Sequence, residues 1–203
     1  MIPRQILDII DRYPEDHYSF HITKIESVNE MVILGLSLTA HEWEADPFLQ
    51  QDWIVEIGGY INSNIKLTSV DWIQLKTEHP LLWEYTDIYC ELYFSGQSQS
   101  PEKIFQSLYQ THETLFKGRL PFYYYLNRSV LENNFAYSNG QLAKGPNKVL
   151  YEYGLCLQQH SMNFSLVGGR HPSNDGGQPA ILLLGRDCHI IAEVFKFTLA
   201  SGE

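Results

Sequence analysis

Hydrophobic positions change period along this chain, and the changes divide it into elements. Ile6, Leu7, Ile9 and Ile10 recur at helical spacing over residues 3–12, with Pro3 tolerated in the first turn. From Tyr18 the period drops to two: Tyr18, Phe20 and Ile22 alternate with Ser19, His21 and Thr23. The run Met31–Thr39 is rich in Leu and β-branched residues, and with the polar Val28-Asn29-Glu30 before it predicts a hairpin. Further strands are expected over 53–57, 65–75 and 88–94, with Pro80 interrupting the last two.

The helical period returns at Ser100, an N-cap residue followed by Pro101 at the first helical position and Glu102 at the positive end of the dipole. Ile104, Phe105, Leu108, Tyr109, His112, Leu115 and Phe116 then share one face, and Lys117-Gly118 supplies the stop, with Gly118 suited to the left-handed cap. Residues 121–134 are aromatic and predict a short helix; 140–146, with two glycines and a proline, predict a loop. A second main helix is expected over 147–160, with Val149, Tyr153, Cys156, Leu157 and His160 on one side. The end reads as strands over 163–167, 181–184 and 188–199, the first two joined across the turn-rich segment 168–177.

Strands, then helices, then strands predict an α+β fold: a mostly antiparallel sheet with main helices near 101–117 and 147–160 packed on it, plus a short N-terminal helix. One domain over 1–203 is expected. The four-residue segment Gln97–Ser100 is the place where a β-rich half (1–96) would separate from an α/β half (100–203). The chain of 203 residues has enough apolar content, 44%, to bury a core without disulfides or a metal.

Charge adds a second asymmetry. The net charge is −10, with 16 acids and 5 bases in residues 1–100 against 8 and 9 in 101–203. An acidic half without a basic run repels phosphate backbones, so nucleic acid is not an expected partner; it suits a basic protein instead. The longest apolar runs are far below the ~20 residues of a membrane-spanning helix. Cys90, Cys156 and Cys188 form no paired framework, and the first residues lack a signal-peptide pattern, so a reduced, cytoplasmic protein off the membrane is expected.

The motif search excludes more than it finds. Gly140 and Gly145 have the glycine spacing of a phosphate-binding loop, but Pro146 and Asn147 stand where Lys and Ser/Thr are required. A helix start after Pro146 retains only the ordinary capacity of free N–H groups for an anion. Neither G-x-G-x-x-G nor G-x-S-x-G occurs. His41-Glu42 and His112-Glu113 each begin like H-E-x-x-H but lack the second histidine, and His17 and His21 lie about 13 Å apart along a strand. Cys156 and His160 share a helix face and a neighbouring strand could bring Cys188-His189 to them, but core packing accounts for these residues, so no metal and no cofactor is implied. His112, on the apolar stripe, is expected to be a buried neutral imidazole bonded to a backbone carbonyl.

Two features point to function. The first is residues 41–93, where all four tryptophans, Trp43, Trp53, Trp72 and Trp83, stand among acids. Trp43 and Trp83 lie in polar, turn-like contexts, and at least one is expected to be exposed. With Glu42, Glu44 and Asp46 they are candidate contacts for a basic partner. The second is the 168–177 segment. Arg170 has the fork to grip a carboxylate or phosphate, with His171 and Asp175 as acid–base partners; a polar hairpin tip accounts for the same residues. The first reading is a non-enzymatic binding protein with an acidic docking surface. Its alternative is a hydrolase or transferase with a site at 168–177. A deep pocket lined by convergent polar groups beside that segment would favour the enzyme, and a flat acidic face with exposed aromatics the binder.

Overall fold

The computed structural model describes residues 1–29, 31–41, 49–98, 100–133, 135, 137–172 and 177–200. Two compact units emerge, one from residues 1–79 and 175–203, the other from 80–174. Together they give the α+β fold with antiparallel sheets and packed helices that the hydrophobic pattern predicts.

The first unit is a seven-stranded sheet. Its strands are β1 (Tyr18–Val28), β2 (Met31–Ala40), β3 (Leu49–Asn64), β4 (Ser69–Val70), β5 (Ile73–Lys76), β9 (Ala180–Leu184) and β10 (Cys188–Leu199). Their order across the sheet is β4-β1-β2-β3-β10-β9-β5, with every pairing antiparallel. The expected hairpin is present, Val28 facing Met31 and Tyr18 facing Ala40. Period two determines the buried face: Phe20, Ile22, Leu34, Leu36, Leu38, Trp53, Val55 and Ile57 form one core with Ile6 and Ile9 of the N-terminal helix α1 (Arg4–Arg12). The opposite face carries polar side chains, where Ser19 bonds Thr39 at 3.0 Å and His21 bonds Ser69 at 2.7 Å. The single strand expected over 65–75 is in fact two short ones, β4 and β5, on opposite edges of the sheet.

The second unit is a three-stranded antiparallel sheet with helices packed on it. It begins with a 3-10 turn (Pro80–Leu82) and the short helix α2 (Trp83–Thr86). Strand β6 (Tyr89–Ser95) is central, flanked by β7 (Asn139–Pro146) and β8 (Asn163–Arg170). Helix α3 (Pro101–Phe116) follows β6 directly, buries Ile104, Leu108, His112 and Phe116 at every fourth position, and packs on α5 (Asn147–Gln159). Its left-handed stop spans Lys117 (φ 51°) and the expected glycine, Gly118 (φ 76°). The aromatic 121–134 region contains one short helix, α4 (Arg128–Glu132), capped by the Asn127 side chain.

Two expectations are corrected here. Residues 140–146 are not a loop but most of β7. The breakers Gly140, Gly145 and Pro146 hid a strand whose two edges are both occupied. β6 pairs with one, and Tyr125–Asn127 close the other through Lys144 N–H to Tyr125 O (2.9 Å) and Asn127 N–H to Leu142 O (2.7 Å). Pro146 ends the strand, where a residue lacking an N–H is tolerated. Second, 163–167 and 181–184 are not the arms of a hairpin. β8 belongs to the small sheet and β9 to the large one, and Gly168, Gly169 and Arg170 are strand residues rather than a tip.

Candidate functional site

Alternation along β6 determines which of its side chains can meet a ligand. Cys90, Leu92 and Phe94 are buried, while Tyr89, Glu91 and Tyr93 are only half-buried. On that second face Glu91 is held from two sides. The Tyr93 hydroxyl donates to Oε2 at 2.8 Å, and Lys144 Nζ on β7 lies 3.5 Å from Oε1. The bond to Glu91 holds the Tyr93 proton above the ordinary phenol range.

On the other side of β6 the register slips. Val167 faces Glu91, but Arg170, not Gly169, faces Tyr89, so β8 carries one extra residue. This is a β-bulge, and Gly168 sits in it at φ +84°, a conformation that glycine adopts without strain. The bulge opens a cleft of about 630 Å³. Tyr89, Cys90 and Glu91 of β6, Lys144 of β7, and Val167, Gly168, Gly169 and Arg170 of β8 line it.

The Cys90 thiol is buried and donates to Gly168 O at 3.6 Å; burial first, then Asp87, push its pKa up, away from the nucleophilic thiolate. Burial likewise raises the Tyr89 phenol. Among the described residues no carboxylate pairs with the Arg170 guanidinium, which leaves the cleft with two cationic heads and one carboxylate.

Of the residues singled out in the sequence, Arg170 lines this cleft, and His171 follows it, exposed and outside the lining. Asp175, Glu42, Trp43, Glu44 and Asp46 lie outside the described residues. Trp83 is half-buried in α2, with Lys148 Nζ 5.6 Å from its ring centre. Trp53 is a core residue, 3% exposed. Tyr89, Glu91 and Lys144 carried no sequence signal, because only strand register brings them beside Arg170.

The other candidates are occupied. His112 is buried, its Nε2–H donating to Leu120 O (3.0 Å) and its Nδ1 accepting from the Tyr153 hydroxyl (2.7 Å). Burial keeps its pKa below the ordinary imidazole value. The free N–H at the start of α5 is met by the chain's own Asp87, which accepts from Lys148 N–H at 2.7 Å, so the anion there is internal. Cys156 and His160 both turn to α3: Cys156 Sγ lies 3.1 Å from Thr111 Oγ1, and His160 Nε2 lies 2.9 Å from Ser107 Oγ. Among the described residues no three His, Cys, Asp or Glu side chains converge as a metal site, and no helix is long and apolar enough to cross a membrane. Compared with protein-family models, curated proteins and solved structures, the chain finds no match in any of the three.

Proposed function

We propose that this is a non-enzymatic binding protein whose seven-stranded unit docks a basic partner protein. One observation carries the reading: the charge is sorted by structural unit. Residues 1–79 and 175–203 contain 17 acids and 7 bases, a net of −10, whereas 80–174 contain 7 of each. A field confined to one unit steers a cationic partner and selects it by complementarity. Glu42, Glu44, Asp46 and Trp43, on the connection between β2 and β3, are the proposed contacts, with Trp83 the candidate in the other unit. The test is affinity capture of partners at low and high salt, comparing wild type with Glu42→Lys, Glu44→Lys and Asp46→Lys combined. Salt and the substitutions should each reduce capture, since contacts of this kind are screened within ~10 Å at 0.1 M salt. Capture unchanged by both would end the reading.

A second reading, a hydrolase or transferase acting at 168–177, draws support from the polar cleft beside that segment. Against it stand the inward-bonded Cys90 and the absence of His171 from the lining. Substrate profiling of wild type against His171→Ala separates the two, and equal turnover by both removes this site as catalytic.

A further inference from the structure

We infer that the cleft at the β8 bulge binds a small organic anion with a single head, carboxylate or phosphate, gripped by Arg170, and an apolar body resting on Val167 and Tyr89. The inference does not rest on the docking reading and requires no turnover. Four observations converge on it. The volume, about 630 Å³, is that of a small-molecule site. Lys144, Glu91 and Tyr93 satisfy one another, so the charge left over is Arg170, whose planar fork matches an oxyanion with two parallel hydrogen bonds. Among the described residues no carboxylate pairs with this guanidinium, which is exposed at the cleft lining where a negative ligand can reach it. Val167 is 51% exposed beside it and supplies an apolar wall.

The fourth observation is the second glycine. Gly168 is explained by its φ of +84°, but Gly169 has no such requirement. A Cβ there would meet only Ile88 Cγ2, at 3.4 Å, an ordinary contact. The fold therefore tolerates alanine at 169, and what glycine contributes is bare backbone at the cleft lining. Glu91 sets the charge limit. Its carboxylate disfavours a second negative group, which restricts the ligand to a single anionic head.

Benzoate and phenyl phosphate distinguish the two head chemistries, with benzyl alcohol and inorganic phosphate as controls, titrated into the full chain by amide NMR. At least one aryl anion should bind, shifting Gly168, Gly169 and Arg170, while benzyl alcohol does not. Arg170→Ala should weaken binding about tenfold or more, and Arg170→Lys, which keeps the charge and loses the fork, by less. Gly169→Ala should weaken binding without lowering the melting temperature, and Glu91→Gln should tighten it. The inference is overturned if neither aryl anion binds, or if Arg170→Ala binds as tightly as wild type. Equal affinity for inorganic and phenyl phosphate would refute the organic body.

Discussion

Gly154 is a position where two ordinary rules oppose each other and the structure decides between them. It lies in the interior of α5, where replacing glycine by alanine is ordinarily worth about 0.5–1 kcal/mol of added stability, through reduced backbone entropy in the unfolded chain. In this fold the added Cβ would come 2.5–2.6 Å from three carbons of the Phe164 ring on β8. Carbon contacts are attractive only beyond ~3.5 Å, so the ring must retreat by about 1 Å. Phe164 also packs edge-on against Tyr151, with ring centres 6.1 Å apart, and it pairs with Phe94 in the ladder, so its displacement disturbs both α5 and β8. Overpacking of this kind costs ~1–3 kcal/mol, which set against the propensity gain leaves Gly154→Ala destabilised by up to ~2.5 kcal/mol. Urea denaturation followed by circular dichroism measures it. Phe164→Ala provides the internal control: in that background the alanine at 154 should be neutral or stabilising, because the clash is gone and the entropy gain remains. A more stable Gly154→Ala, or a loss undiminished beside Phe164→Ala, would refute the steric account.

Other consequences are as direct. Tyr153→Phe removes the donor to His112 Nδ1 and strands a buried acceptor, so a loss of ~1–3 kcal/mol is expected in denaturant melts. The pH dependence follows from the lowered His112 pKa. Above the free-imidazole value of 6.5 both folded and unfolded chains hold the neutral ring, and the full stability is present. As pH falls below it the unfolded chain takes a proton that the folded one refuses, so stability drops until the folded pKa is passed. Melting temperatures recorded against pH should show that limb, and His112→Gln should flatten it. Burial raises the thiol pKa of both Cys90 and Cys156, so a disulfide reagent should label them far more slowly in the native protein than in denaturant.

Much of the scaffold follows from local pattern. Period two placed the β1–β2 hairpin and its buried face, and the Ser100-Pro101 start with recurring apolar residues placed α3, because these signals depend only on neighbours in the chain. Local pattern failed where partners were remote. Residues 140–146 look like a loop until β6 and Tyr125–Asn127 occupy both edges. Residues 163–184 look like a hairpin until its two strands join different sheets. Ser100 is a good cap by type, yet no side-chain bond is made there, whereas Gly118 takes the left-handed conformation expected of it, together with Lys117 before it.

The candidate site divides in the same way. Composition and charge by themselves determined that the chain folds without staples, carries its negative charge unevenly and has an arginine beside paired glycines. Tertiary structure alone decided that the whole surplus falls in one unit. It also decided that a one-residue slip between β6 and β8 sets Arg170 at a cleft with Glu91 and Lys144. The reason is physical: helix and strand periods are read from adjacent residues, whereas a cleft is made by strand register, and register is set by side chains that meet only after the chain has folded.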